Sequence, residues 1–427
     1  METLILSAPQ AAFGFASLLL LALLVFKSGS DGLKRAILAS AAVISAYAAA
    51  FAYFYGYDGE VFIGGFTAHR AGLLVFVAAC LMVLLSLRNK KYGHYYFPAM
   101  AAVMFVFALS IYSTSITAMA AGFFIVDLFA ILAGKKETET EDNLNEKALS
   151  DKLPYFVLAA AFLMLYDAVP HNVKLARFAF NGMIVMLILS ASTVFFASTN
   201  NELIKFKQPF MASGTVLGFI PVLAQFAVIT ALIGLNRELL LGSYLSLVVL
   251  VLLLLAAYKS VTEEKYILFA LRDIHILLYL GIFGVVSSLL SPLYIAVYGA
   301  LMAFAAALAA DAATEPQSAK LTMSGVRYSF GKIPENWNIF FSMLAGFSAE
   351  VFMIVLICQN ITGGPVTRAA AMIGAAFYAP ALLNKLFTLL SMAARIKVDL
   401  KRGKLLNMGR MIMALFLCMV SAMLYKW

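Results

Sequence analysis

Three ionisable side chains, Arg272, Asp273 and His275, stand within four residues of each other in the run EEKYILFALRDIHILLYLGIFG (Glu263 to Gly284), which is otherwise apolar enough to lie in a bilayer. Charge inside a membrane costs at least about 2.5 kcal/mol per group, so such residues face protein or water and often mark ion paths. On a helix, Leu268, Arg272, His275 and Tyr279 share one face, whereas Asp273 projects about 100° away. This spacing predicts that Arg272 and His275 enter one polar seam with a carboxylate from another helix. Asp273 needs a partner of its own. His275 is the better proton shuttle of the group, because imidazole titrates near neutrality and Arg272 keeps its proton.

Other positions invite the same chemistry. Asp127 lies in AAGFFIVDLFAILAG, with apolar or small residues on both sides, and a carboxyl group at such depth suits proton exchange. Lys385 follows Pro380 by five residues in GAAFYAPALLNKLFTLLSM; a buried lysine can titrate near neutral pH. Glu350, in LAGFSAEVFMIV, is a further carboxylate standing by itself in its segment. Gly214, Gly218 and Pro221 fall together in QPFMASGTVLGFIPVLAQF. Helix breaks at Gly218, Pro221 and Pro380 would match the interrupted helices of transporter sites. Each charged position also has a structural reading, an ion pair that fixes helix packing or a lysine that snorkels. The residues alone leave both open.

Soluble catalytic chemistry is not visible. There is no glycine-rich phosphate loop, catalytic triad or redox-cofactor motif. Cys80, Cys358 and Cys418 lie far apart in apolar segments, and the four histidines are scattered. Neither a disulfide framework nor a metal site is expected.

The elements that must position these groups are membrane helices. Hydrophobic residues make up 63% of the 427 and charged ones 12%, with a mean hydropathy of +0.93, which marks a polytopic all-α membrane protein. About fourteen segments, from 8–26 to 408–425, approach the roughly 20 apolar residues that a spanning helix needs. No basic region precedes the first of them, so it reads as a retained helix and not a cleaved signal. Numbered from the N-terminus, the odd connections hold 23 Lys and Arg residues and the even ones 5. By the positive-inside rule the odd connections are cytoplasmic and both termini lie on the opposite side of the inner (cytoplasmic) membrane. The net charge of +9 is thereby accounted for by headgroup contacts, most of all in Arg395 to Arg410, and no nucleic-acid partner is expected. Two connections are long. Gly134 to Lys152 reads as a charged, solvated loop, and Asp311 to Trp337 as a segment that packs on the membrane surface or on a partner.

At these residues the chain resembles the antiporter-like subunits of respiratory complex I, the NADH:quinone oxidoreductase, and among them the N-type subunit. These are related to Mrp-type cation/proton antiporters and to membrane subunits of energy-converting hydrogenases. HYYFPAMAAVMFVFALSIYSTSITAMAAGFFIVDLFAIL is similar to the family's fourth and fifth helices, with Asp127 at the place of a family Glu. DKLPYFVLAAAFLMLYDAV resembles its Lys-Tyr-Phe segment, and GFIPVLAQFAVITAL a stretch reading Thr-Val-Pro-Lys-Val-Ala-Gly-Phe. In EKYILFALRDIHILLYL, Lys265 and His275 match at the family's separation. The resemblance covers about residues 90 to 395.

What the resemblance implies is one transmembrane domain over residues 1–427: N-terminal helices in 1–90, an antiporter-like core with an inverted repeat and broken helices in 91–395, and a C-terminal helix in 396–427. It implies a proton pathway through Asp127, His275 and Lys385, with Arg272, Asp273, Lys265 and Glu350 as electrostatic and structural partners. NADH, flavin, iron–sulfur clusters and quinone would belong to partner subunits in the membrane, and this chain would bind no redox cofactor. The departures matter as much. The family's seventh-helix Lys falls on Ser192 or Thr193, and its eighth-helix Lys on Val222. With both cations gone, Arg272 is expected to partner Asp127. The alternatives are a structural subunit that has lost pumping, or a stand-alone cation/proton antiporter.

Overall fold

A segment of leucine, alanine, phenylalanine and valine cannot leave its backbone N–H and C=O groups unpaired in hydrocarbon, so it closes them within a helix. The computed structural model describes residues 2–55, 70–87, 96–113, 115–134, 142–169, 171–197, 209–262, 266–288, 290–313, 337–361 and 364–395. Thirteen α-helices follow one another there: α1 (Glu2–Val25), α2 (Asp31–Tyr55), α3 (Arg70–Ser86), α4 (Tyr96–Ile111), α5 (Ile116–Gly134), α6 (Asp142–Ala168), α7 (Val173–Ala197), α8 (Pro209–Leu235), α9 (Gly242–Thr262), α10 (Tyr266–Ser287), α11 (Pro292–Ala313), α12 (Trp337–Asn360) and α13 (Pro365–Arg395). Six of them carry stretches long and apolar enough to cross a membrane by length and composition, and several more carry shorter apolar stretches. The fourteenth expected segment, Lys265 and Cys418 lie outside the described residues.

The centre of the bundle is α8, α10 and α11. α8 packs against α3, α4, α5, α10 and α11, and α10 against α7, α8, α9, α11 and α12. Without a hydrophobic drive between helices in lipid, close approach of small residues does much of this work. At Gly281 of α10, an added Cβ would stand 2.6 Å from both the Phe226 ring of α8 and the Tyr298 ring of α11. The outer helices α1, α2, α6 and α13 keep large apolar side chains exposed, among them Phe15, Tyr47, Met164 and Phe377. Such a surface suits lipid or neighbouring membrane subunits.

Two expectations change here. The charged stretch after Gly134 is not a loop as far as Lys152, because α6 already begins at Asp142. The helices holding Gly218, Pro221 and Pro380 are not broken: α8 and α13 each run through their internal proline. A membrane helix accommodates a proline when neighbouring groups satisfy the freed carbonyl.

Candidate functional site

Asp127 sits in the second half of α5 with only 4% of its surface exposed. Its partner is Lys152 of α6, whose Nζ donates to Asp127 Oδ2. Gln225 of α8, itself buried, lies within hydrogen-bonding reach of the same carboxylate. One anion, one cation and one neutral amide thus meet where α5, α6 and α8 converge. Burial of a charge is tolerable in this form, because the counter-ion is in contact and remaining lone pairs have donors.

A second cluster joins three other helices. Lys385 Nζ of α13 donates to Asp273 Oδ1 of α10 and to Glu350 Oε1 of α12. All three residues are buried. The Tyr378 hydroxyl of α13 is in hydrogen-bonding reach of Glu350, and Tyr298 of α11 borders both carboxylates. The Tyr298 hydroxyl itself donates to the Leu277 carbonyl of α10 at 2.5 Å. Backbone crowding shapes the pocket: a Cβ on Gly346 of α12 would fall 2.7 Å from Asp273 Oδ2. Glycine there lets α12 approach the carboxylate.

The two clusters are built alike. In each, an aspartate on one helix (α5 or α10) meets a polar side chain three helices later, four or five residues after a proline inside that helix: Gln225 after Pro221, Lys385 after Pro380.

A hydroxyl contact lies in the core between α10 and α7. Tyr279 donates to Ser192 Oγ at 2.6 Å, and Ser192 donates to the Ile188 carbonyl at 2.7 Å. His275, one turn from Tyr279 on α10, is buried with its ring centroid 6.4 Å from the tyrosine ring. Ser192, one of the two positions on which the family's seventh-helix lysine falls, thus holds a paired hydroxyl. Val222, the other such position, is buried among apolar side chains. Gln225 follows it by three residues and therefore shares its face of α8.

The expected pairing of Arg272 with Asp127 is corrected. Lys152 holds Asp127, and Arg272 Nη1 donates to the carbonyl of Lys259 at 2.8 Å. Lys259 lies in the last turn of α9, where carbonyls lack partners within the helix, so the guanidinium closes a helix end. Glu350 is likewise not a lone carboxylate, since it shares Lys385 with Asp273. Sequence reading missed Lys152, Gln225, Tyr298 and Tyr378. Lys152 was hidden at the end of a charged run that reads as a loop, but α6 begins at Asp142 and includes it.

Against solved structures, a chain of respiratory complex I from Thermus thermophilus with bound aureothin matches with a TM-score of 0.67 at 12% identity, over 96% of this chain and 97% of that one. A chain of the Mrp complex from Dietzia sp. DQ12-45-1b matches at 0.60 and 14%, over 91% and 79%. A chain of the membrane-bound sulfane sulfur reductase, an archaeal respiratory membrane complex, matches at 0.57 and 10%, over 97% and 94%. The fold is antiporter-like. No protein-family model matches the sequence, and no curated protein matches it. The antiporter-like fold supplies the frame on which both ion clusters sit, with Lys152 as the cation of one and Lys385 as the cation of the other.

Proposed function

We propose that the chain is a membrane-arm subunit of a multi-subunit proton-translocating complex related to NADH:quinone oxidoreductase, of the N type, and that it carries a proton pathway and no redox cofactor. The observation that carries this reading is the pair of buried acid–base clusters, Asp127–Lys152 and Asp273–Glu350–Lys385, set in similar surroundings within an antiporter-like fold. Intramembrane ionisable groups are expensive and mark ion routes more often than not. NADH, flavin, iron–sulfur clusters and quinone would then sit on partner subunits. The membrane would be the cytoplasmic one, with both termini outside.

One observation favours a structural subunit instead. Among the described residues, a Tyr279–Ser192 hydroxyl contact and an apolar setting of Val222 stand where the family resemblance expects lysines, the first of them on Ser192 or Thr193. Without those lysines, a route between the clusters would use His275, hydroxyl groups and water. Purification of the native assembly and proton uptake in vesicles separate the two readings. Co-purified redox subunits with pumping abolished in Asp127→Asn and in Lys385→Met, at intact assembly, support the proposal. Unchanged pumping in both variants supports the structural subunit. A chain that purifies alone overturns membership of a complex.

A further inference from the structure

The two clusters differ in charge balance. Around Asp127 one carboxylate faces one ammonium and a neutral amide. Around Lys385 two carboxylates face one ammonium, and the three side chains are 7% exposed or less. If both acids were ionised, the second cluster would hold one negative charge without a counter-ion in a low-dielectric interior, which is strongly unfavourable. Its neighbours, among the described residues, do not supply the missing cation. α8 carries no ionisable side chain. α11 contributes the neutral phenol of Tyr298, and α13 contributes that of Tyr378. On α10, Arg272 projects about 100° from Asp273 and donates to the end of α9, beside Lys259, while His275 lies about 200° round the helix. Arg368 of α13 is about five turns from Lys385.

We infer that the Asp273–Glu350–Lys385 cluster holds one proton at rest, on the carboxyl of Glu350, and that this acid, not Lys385, is the group that exchanges. Glu350 is the more enclosed acid, with its side chain 1% exposed against 6% for Asp273. Tyr378 gives it a hydrogen-bond partner in either state, since a phenol donates to a carboxylate and accepts from a carboxylic acid. Lys385 already fills the space between the two acids, so the ammonium takes the place that a sodium ion would need, and the remaining charge is met by a proton. When Glu350 releases its proton to water or to the next group on the path, Lys385 must hold two carboxylates at once. That state is costly, and it draws the next proton in.

The inference rests on the proposed proton pathway for its role in transport, but its test reads the bound proton directly. The experiment is infrared spectroscopy of the full chain in its native membrane assembly at about pH 8, well above the ordinary carboxylate range. A protonated-carboxyl band is expected, moved by heavy-carbon labelling of glutamate side-chain carboxyls. Glu350→Gln and Asp273→Asn should each abolish it, because either change leaves one acid against one ammonium. The band should be the same in sodium and in choline buffer. Absence of a labelled band in the wild type overturns the inference, and this measurement needs no variant to fold. So does a band that survives both substitutions, or one that sodium removes, which would mean a metal ion balances the cluster. Loss of the band in both variants with pumping unchanged would count against the transport reading alone.

Discussion

Lys152 of α6 reaches Asp127 of α5 across 25 residues of chain and closes an ion pair in the interior of the bundle. Each charge depends on the other, because a buried ion left alone keeps its desolvation penalty and loses its attraction. We expect Lys152→Met to destabilise the protein by about 3–5 kcal/mol. Asp127→Asn should be of similar cost, and the double variant should recover part of the loss. Thermal unfolding of the four proteins in one lipid composition checks the cycle, and additive losses would show that the pair is not coupled.

Much of the fold was legible because membrane helices are written in composition: lipid forbids unpaired backbone, so long apolar runs can be little else. The residues of the site were also legible one at a time, since a charge in such a run stands out. Their partners were not. Asp273 needed a cation, yet nothing near it in sequence identifies Lys385, 112 residues away. Arg272 looked like the natural partner of Asp127 from charge counting, but its reach is set by the helix it faces, and it meets α9. Lys152 was read as loop because composition weighs the charged run that ends on it, although the chain is already helical from Asp142.

Arg272 therefore acts on packing. Its guanidinium caps the carbonyl end of α9, and a hydrogen bond involving a charged group contributes about 1.5–3 kcal/mol. Arg272→Gln should lower thermal stability by an amount in that range while leaving the ratio of protons moved to electrons transferred unchanged in assembled complexes. A changed ratio at normal stability would assign Arg272 to the pathway instead.

Gly346 tests how tightly the second cluster is enclosed. A methyl group there would lie 2.7 Å from Asp273 Oδ2, whereas Gly364 has nothing within 4 Å of its added Cβ. Overpacking typically costs about 1–3 kcal/mol. Gly346→Ala should show that loss together with impaired proton transfer, because Asp273 must turn away from α12 or α12 must withdraw from it. Gly364→Ala should leave transfer intact. Equal behaviour of the two variants would mean that the carboxylate moves freely.

On the proposed pathway, the Tyr279–Ser192 contact is a test of whether hydroxyl groups relay the proton. Tyr279→Phe removes one hydroxyl from the α7–α10 contact but leaves Ser192 bonded to the Ile188 carbonyl, so no buried donor is stranded and the stability loss should be about 0.5–1.5 kcal/mol. If the hydroxyl pair carries protons beside His275, pumping should fall well beyond what this small loss of stability explains. His275→Ala should then produce a similar fall, and the double variant should be little worse than either one, as expected for two groups on a single route. Vesicle pumping measured beside thermal stability makes the comparison. Full pumping in Tyr279→Phe with the expected small stability loss would leave the hydroxyl contact as packing and would send the route through other groups.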